Sequence, residues 1–251
     1  MHKRKDSDLI MSIRGALELR QYRTEESINQ LRLYRSCLQK RFDHDRHRSK
    51  LTMADFFGHE IGQCWQCSGS CLFMLSGCNE AGTSLMVESW LSPLAVDLIR
   101  TLLDDGRLVA FEVCDSTSTV ESTMSRLIVQ LLEKRPASVR KVEDAENLQH
   151  LVSYLEDERE KGLSDALLRI VSLQKEPIFF VLDRPDRSEE DSVTAYASAM
   201  LRLVEQASCD LKVLLVQRAE MWSFEENKKG ILTRDSKPDM LRALRIDQHR
   251  L

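Results

Sequence analysis

The sequence lacks any long apolar run. No segment approaches the roughly 20 consecutive apolar residues that a membrane-spanning helix needs, and the charged N-terminus, residues 1–6, has no apolar stretch of the kind found in secretory signals. The seven cysteines are odd in number and scattered along 251 residues, which disfavours a disulfide framework. These absences favour a cytoplasmic protein without a membrane span.

Proline is absent from residues 8–48, and Gly15 is the only glycine there. Apolar residues recur in this segment at helical spacing, which predicts one long helix or two helices with a break near Thr24. Residues 1–50 hold thirteen basic and seven acidic residues, a balance of about +6 against −4 for the whole chain. We therefore expect a basic helical arm that contacts the rest of the chain or another protomer, with a plain solvated helix face as the alternative.

Nucleic-acid binding is a weaker expectation for this arm. Its two tyrosines, Tyr22 and Tyr34, make one aromatic pair, and they do not form the stacking platform typical of single-strand binders. We therefore expect protein partners or self-association.

From residue 70 the pattern changes to apolar strands that alternate with helices, which predicts an α/β fold with a parallel sheet covered on both faces. The core is expected over residues 51–225, followed by an incomplete helical extension over 226–251. The predicted strands are Leu72–Leu75, Leu108–Val113, Ile178–Leu182 and Leu211–Val216. The predicted helices are Leu85–Leu103, Val120–Glu133, Leu148–Leu173 with a break near Gly162, and Ser192–Ala207.

A phosphate-binding loop follows the first strand, but it lacks its lysine. Residues 77–84 read Gly-Cys-Asn-Glu-Ala-Gly-Thr-Ser, which has the spacing G-x-x-x-x-G-K-[ST] with Thr83 in the lysine position. Gly77, Gly82 and the following helix N-terminus can still direct backbone N–H groups at phosphate oxygens. Ser84 stands where a hydroxyl normally binds Mg²⁺. The alternative is an ordinary strand-to-helix turn in which the two glycines serve backbone geometry.

An acid ends the third strand. Residues 177–183 read Pro-Ile-Phe-Phe-Val-Leu-Asp, and a strand-end aspartate of this kind binds Mg²⁺ directly or through water. Asp186, three residues later, is the candidate general base. The alternative is that Asp183 and Asp186 only cap the strand and open the turn at Arg184 and Pro185.

The fourth strand ends in two polar residues, Gln217 and Arg218. Ligands of α/β folds bind at the carboxyl ends of the strands, so Arg218 is a candidate contact for a terminal phosphate. A surface arginine is the alternative.

Together these motifs resemble the P-loop domain of NACHT-type STAND NTPases, especially the fungal NLR-like kind, over about residues 50–225. The resemblance rests on four segments, which are Gly69–Gly77, Leu108–Cys114, Asp183–Arg187 and Val216–Glu220. It implies binding of ATP or GTP with Mg²⁺, held by Ser84 and Asp183, and control of self-assembly by nucleotide state. The chain departs from the family pattern at three places. Thr83 replaces the lysine, Arg187 replaces a second acid, and residues 79–81 of the loop also differ.

These departures predict a degenerate nucleotide-binding module that acts in regulation, oligomerisation or interaction, with weak or lost NTP binding and hydrolysis. The rival hypothesis is an active Mg²⁺-dependent ATPase or GTPase in which Arg184, Arg187 or Arg218 replaces the missing lysine. A third is a truncated or decaying gene product, against which cooperative unfolding would count.

A zinc site is not expected. His59, Cys64, Cys67 and Cys71 include one C-x-x-C pair, but a second pair is absent. Cys71 is also expected to begin the first strand, so its thiol would pack within the sheet.

Overall fold

The computed structural model describes residues 6–43, 51–67, 69–78, 89–136, 159–188, 192–218, 223–232 and 240–247. Its helices are α1 Asp6–Ala16, α2 Thr24–Asp43, α3 Met53–Gly58, α4 Glu60–Gln66, α5 Ser92–Asp104, α6 Val120–Lys134, α7 Arg159–Ser172, α8 Ser192–Gln206 and α9 Phe224–Ile231. Its strands are β1 Cys71–Cys78, β2 Leu108–Val113, β3 Ile178–Asp183, β4 Leu211–Arg218 and β5 Leu241–Asp247. A short 3₁₀ turn, Pro185–Arg187, follows β3.

The five strands form one parallel sheet in the order β2-β3-β4-β1-β5. The expected α/β fold, a P-loop NTPase-like parallel sheet with helices on both faces and helices before it, is confirmed. The four predicted strands all form because each is an apolar run that a doubly covered sheet can bury. In β3 and β4 every residue is buried.

The direction of each crossover determines which face its helix covers. The connection from β1 to β2 runs one way along the sheet, whereas the next three run the opposite way. Right-handed crossovers therefore place α5 on one face and α6 to α9 on the other. Two separate apolar clusters agree with this division: one contains α5 with Phe73, Val181 and Leu214, and the other contains α6 with Leu72, Phe180 and Val213.

The N-terminal helices pack against the sheet, one on each side. Buried Ile13 of α1 belongs to the cluster with α6, and buried Leu31 and Leu38 of α2 belong to the cluster with α5. The predicted break is confirmed, since α2 begins at Thr24. The Thr24 hydroxyl bonds to Glu133 of α6.

The connection between α1 and α2 covers the β2 edge of the sheet. Gln130 of α6 donates to the Phe111 carbonyl oxygen at 2.8 Å and accepts from the Phe111 N–H at 3.0 Å. The same amide donates to the hydroxyl of Tyr22 at 2.8 Å. The backbone groups of Phe111 on this edge strand are thus paired by a side chain rather than by another strand.

Two expectations are wrong. Helix α7 does not break at Gly162, which is buried inside it. The apolar face that continues through Leu163, Ala166 and Leu167 outweighs the cost of about 1 kcal/mol for a helical glycine. The C-terminal extension is not wholly helical: α9 is followed, within the described residues, by β5, which adds to β1 as a fifth parallel strand. No helix within the described ranges has both the length and the apolar character needed to cross a membrane.

Candidate functional site

The topology places a crevice between β1 and β4. These neighbouring strands lead to helices on opposite faces, α5 after β1 and α9 after β4. Ligands of open α/β sheets bind outside the carboxyl ends of the strands at such a switch point. Gly77 and Arg218 lie side by side there in the strand register, and Arg218 is buried.

Part of the predicted site lies outside the described residues, namely Gly82, Thr83 and Ser84 of the loop. The other predicted residues fall into two groups. Gly77 is the next-to-last residue of β1 and Arg218 is the last residue of β4, whereas Asp183 and Asp186 lie at the carboxyl end of β3. Asp183 pairs with Val216 of β4, so it lies two residues short of the level of Arg218.

Asp183 is fully buried and is hydrogen-bonded by two helices. Its Oδ1 accepts from the hydroxyl of Ser92, the first residue of α5, at 3.0 Å. Its Oδ2 accepts from the hydroxyl of Tyr34, in the middle of α2, at 3.0 Å. Burial raises the pKa of Asp183 to about 6, against the lowering effects of Arg184 and of the two hydroxyl donors. Both oxygens of the strand-end acid therefore have donors from within the chain.

Asp186 is bound by the neighbouring Arg184. The guanidinium donates from Nε to Oδ1 at 3.0 Å and from Nη2 to Oδ2 at 2.8 Å, a two-pronged geometry that is among the stronger ion pairs. The side chains are 4% and 1% exposed. In this arrangement the carboxylate of Asp186 faces the guanidinium of Arg184.

The turn that holds this pair is fixed to the sheet. Arg184 adopts a left-handed backbone conformation, with φ of 64°, which is uncommon for a residue with a Cβ. Its N–H donates to the carbonyl of Val216 at 2.7 Å, and the carbonyl of Asp183 accepts from the N–H of Cys114 at 2.8 Å. The two backbone bonds hold the turn between β2 and β4, which places one buried cation beside two carboxylates.

This arrangement does not fit a bound Mg²⁺ ion. Magnesium needs oxygen ligands at about 2.0–2.1 Å, together with room for several of its own waters. Asp183 has no exposed surface, its oxygens accept from Tyr34 and Ser92, and Asp186 is paired with Arg184. A cation can reach Asp183 only after at least one hydroxyl donor has moved.

Gly77 allows a close approach of apolar side chains. A Cβ at this position would lie 2.7 Å from Nε1 of Trp90 and 2.8 Å from Cδ1 of Leu91, both closer than side chains pack. The side of Gly77 where a Cβ would project is thus filled by the segment that leads into α5. This observation agrees with the structural alternative for Gly77, in which glycine serves packing.

Gln217 has an unsatisfied acceptor beside Gly77. Its Nε2 donates to the hydroxyl of Ser76 at 2.9 Å, whereas its Oε1 is buried without a hydrogen-bond partner among the residues that the structure describes. Buried acceptors are usually paired. An acceptor calls for a donor, such as a water molecule or a ligand hydroxyl or amine, and not for a phosphate oxygen.

A cavity of about 470 Å³ lies beside this site, between α2 and the carboxyl end of β2. Its walls include Tyr34, Arg187 and the ion pair between Glu112 and Arg126. Burial raises the pKa of Glu112 to about 7, while Arg126 acts in the opposite direction. Arg187, which replaces the second acid of the motif, therefore lines this cavity, whereas Gly77 does not.

Sequence comparison identifies the family of this core. Residues 51–218 match the family model described as Nephrocystin 3, N-terminal, over about two thirds of the chain. The chain belongs to this family. The match to the Nephrocystin 3, N-terminal family runs from the segment before α3 to the last residue of β4, so it includes Gly77, Asp183, Asp186 and Arg218.

Solved structures of the Drosophila origin recognition complex, ORC, are similar to the chain at low identity. ORC bound to DNA aligns with 12% identity and a TM-score of 0.40, over 96% of this chain and 34% of that one. ORC bound to poly(dA/dT) DNA and Cdc6 aligns with 11% identity and a TM-score of 0.40, over 98% and 34%. The chain spans about a third of the length of these matches. No curated protein sequence matches the chain.

Sequence reasoning missed the partners of the predicted acids. Tyr34 and Ser92 lie 149 and 91 residues from Asp183, and a single sequence carries no signal for such pairs. Glu112 did leave a signal, because it is a charge inside the apolar strand Leu108–Val113. A buried charge needs a partner, and Arg126 on the following helix provides it.

Proposed function

We propose that the chain is a degenerate NACHT-like nucleotide-binding module that works in regulation, oligomerisation or interaction, with NTP binding weakened and hydrolysis lost. The observation that carries this proposal is the state of Asp183, whose two oxygens accept from Tyr34 and Ser92 in a fully buried position. An acid held in this way does not hold the Mg²⁺ that phosphoryl transfer requires.

The second support is the missing charge at Thr83. By analogy with removed transition-state donors, loss of a phosphate-contacting cation costs on the order of 2–4 kcal/mol. The arginine nearest in sequence to Asp183 does not replace it, because the guanidinium of Arg184 is bound to Asp186. Both the cation and the general base of a working site are thereby weakened.

The retained fold supports the proposed role in interaction. The chain keeps the P-loop NTPase-like sheet and the Nephrocystin 3, N-terminal match, while the candidate general base Asp186 pairs with Arg184. A module of this kind acts through its surfaces, and we propose protein partners or a second copy of the chain in the cytoplasm.

Calorimetry with ATP and with GTP, each with Mg²⁺, tests the proposal on the native chain and on Thr83→Lys. We expect weak or undetectable binding to the native chain and clear binding to Thr83→Lys. Thr101→Lys is the matched control, because Thr101 is exposed on α5 and the same charge there should restore nothing. Steady Mg²⁺-dependent turnover by the native chain, abolished in Asp183→Ala, would contradict the proposal.

One observation favours the rival, an active NTPase with a non-standard loop. Arg218 is buried and lies level with Gly77 at the switch point, where a guanidinium could take over the role of the lysine. The rival predicts micromolar binding to the native chain and its loss in Arg218→Gln. Binding that survives this substitution would remove Arg218 from consideration.

A further inference from the structure

The cavity between α2 and the carboxyl end of β2 is lined by hydrogen-bond donors that the fold leaves unused. Arg187 lines it, and its guanidinium has no hydrogen-bond or ion-pair partner among the residues that the structure describes. Arg126 donates from Nη1 to Glu112, and its Nε and Nη2 have no acceptor in the same described part of the chain. Two guanidiniums with spare N–H groups therefore line one space.

The hydroxyl of Tyr22 is a third donor, because Tyr22 also lines this cavity. Its oxygen accepts from the Ser27 hydroxyl at 3.0 Å and from Nε2 of Gln130 at 2.8 Å. A phenol also has one proton of its own, and neither of these contacts uses it. The Tyr22 O–H group can therefore donate to an acceptor in the cavity, beside the two cations.

The two acids at the end of β2 that line the cavity already have donors. The buried side chain of Glu112 pairs with Arg126. Asp115 accepts from the N–H and the hydroxyl of Thr117 at 2.8 and 2.7 Å, and from the hydroxyl of Ser118 at 3.2 Å. Neither acid provides a counterion for a further cation without losing one of these contacts.

The remaining charges favour a ligand with a single negative charge. Arg23 and Glu26 line the cavity as exposed residues of opposite sign, so their charges nearly cancel. Arg187 is left as one half-buried cation without a counterion in the described part of the chain. A planar guanidinium matches the two oxygens of a carboxylate. The nearby acids Glu112 and Asp115 disfavour a doubly charged phosphate.

The rest of the lining suits a small organic body. The volume of about 470 Å³ lies within the range of small-molecule pockets. The apolar side chains of the lining come from the N-terminal arm and from β2, and they are Leu19, Leu31, Phe111 and Val113. We propose that the cavity binds a small organic monocarboxylate. Arg187, Arg126 and the Tyr22 hydroxyl hold its carboxylate, and its apolar part packs against the apolar side chains.

Such a ligand joins two parts of the chain. Tyr22 precedes residue 51, where the family match begins, whereas Arg126 and Arg187 lie inside the match. A ligand that binds only when α2 is packed on the core stabilises that packing. The inference goes beyond the proposed function and does not rest on it, because neither the phosphate-binding loop nor Asp183 takes part.

Benzoate is the probe for this site, because it joins one carboxylate to a small apolar ring. Benzamide has the same shape without the charge. Titrations of the native chain followed by NMR should give millimolar binding of benzoate, and benzamide should bind at least about tenfold more weakly. Equal affinities for the two compounds would overturn the proposal. Inorganic phosphate should bind more weakly than benzoate, and tighter binding of phosphate would overturn the preference for a carboxylate.

Two arginine variants locate the binding site. Arg187→Met should weaken benzoate binding by about tenfold or more, as the loss of a charged hydrogen-bond donor implies. Arg169→Met is the matched control, because it removes the same charge from an exposed position on α7, which does not line the cavity. It should change the affinity by less than about twofold. Equal affinities in the two variants would overturn the proposal.

Glu112→Gln should act in the opposite direction to Arg187→Met. At pH 8, above the pKa of about 7 that burial gives Glu112, the substitution removes a negative charge beside the ligand. Benzoate should therefore bind severalfold more tightly. A purely structural role for these residues would not produce opposite changes. Weaker binding in both variants would mean that the two residues only maintain the fold, and it would overturn the proposal.

Hydrogen exchange shows whether the ligand joins the arm to the core. Saturating benzoate should slow exchange of the amides of both α2 and α6 in the native chain, while α7 serves as the internal reference. Unchanged exchange in α2 with benzoate bound would place the compound elsewhere and would overturn the proposal.

Discussion

Strands β3 and β1 end at the same edge of the sheet, but different kinds of contact close their ends to a ligand. The end of β3 is closed by charge and hydrogen bonds, because Asp183 accepts from two hydroxyls and Asp186 pairs with Arg184. The end of β1 is closed by apolar packing, because Trp90 and Leu91 fill the space beside Gly77.

The difference separates two physical routes to the same result. The stability that a charged network provides depends on the protonation of its members. Removing one member lowers the free energy of unfolding strongly, because its partner stays buried and unpaired. A packed contact depends on volume and is indifferent to pH. Substitutions at the ends of β3 and β1 should therefore change the free energy of unfolding by different amounts and with different pH dependence. The following predictions test that comparison.

The largest effect is expected for Arg184→Met, which keeps the length of the side chain and removes its charge. Asp186 then remains buried without its cation, and Asp183 loses a favourable neighbour. Breaking one side of a buried ion pair costs about 3–5 kcal/mol. Urea unfolding at pH 7 measures the loss.

The control for this substitution is Arg187→Met in the same turn. Arg187 is half-buried and lines the cavity beside α2. We expect a change in the free energy of unfolding within about 0.5 kcal/mol. Equal losses of stability in the two variants would mean that the conformation of the turn, and not the ion pair between Arg184 and Asp186, stabilises the fold.

The next effect is a pH dependence that originates at Asp183. Burial raises its folded pKa to about 6 from the ordinary value of 3.8, so the folded state binds the proton more tightly than the unfolded chain. The free energy of unfolding should therefore fall as pH rises between about 4 and 6, by on the order of 2–3 kcal/mol. Unfolding by urea at several pH values in Asp183→Asn should lack this component of the slope.

Glu112 contributes in the same direction over a higher window. Its folded pKa is raised by burial to about 7 from 4.5, so its share of stability declines between those values. Glu112→Gln should abolish the slope between about pH 6 and 7, reduce it between about pH 4.5 and 6, and leave the contribution of Asp183. A flat profile in the native chain from pH 4 to 7 would show that neither acid is held as the structure indicates.

At the β1 end the expected effect is smaller and independent of pH. Gly77→Ala places a Cβ within 2.8 Å of Trp90 and Leu91, and overpacking of this kind costs about 1–3 kcal/mol. Gly58→Ala is the control, because nothing lies within 4 Å of its Cβ position at the exposed end of α3. Thermal unfolding at pH 5 and pH 7 should give the same Gly77→Ala loss, and a loss that varies with pH would erase the contrast between the two ends.

The sequence predicted the strands for a reason visible in their composition. Runs such as Ile178–Asp183 are wholly buried, so apolar character alone marks them. It missed β5 because an edge strand pairs on one side only, and Arg242, Ala243 and Arg245 remain exposed. A segment with that pattern carries neither a long apolar run nor a clear alternation.

The candidate site was predictable in part. An acid at the end of an apolar strand is a local feature, so Asp183 could be found from sequence. What holds that acid was not predictable, because the contact with Tyr34 depends on how α2 packs across the sheet. The neutralising role of Arg184 was missed as well, since it depends on a left-handed turn that sequence does not favour for arginine.

The smallest effect should come from a surface ion pair between α2 and α5. Arg35 and Asp97 meet at 3.0 Å with about a third or more of each side chain exposed, and exposed pairs contribute about 0.2–1 kcal/mol, less in high salt. Arg35→Met should therefore lower the free energy of unfolding by no more than this, and 1 M NaCl should abolish the difference from the native chain. Arg32→Met, on the exposed side of α2 with its partner Asn29, is the matched control. A loss above about 2 kcal/mol in Arg35→Met that 1 M NaCl does not reduce would mean that this pair behaves like a buried one. The contacts at the end of β3 would then no longer differ in kind from those at the surface.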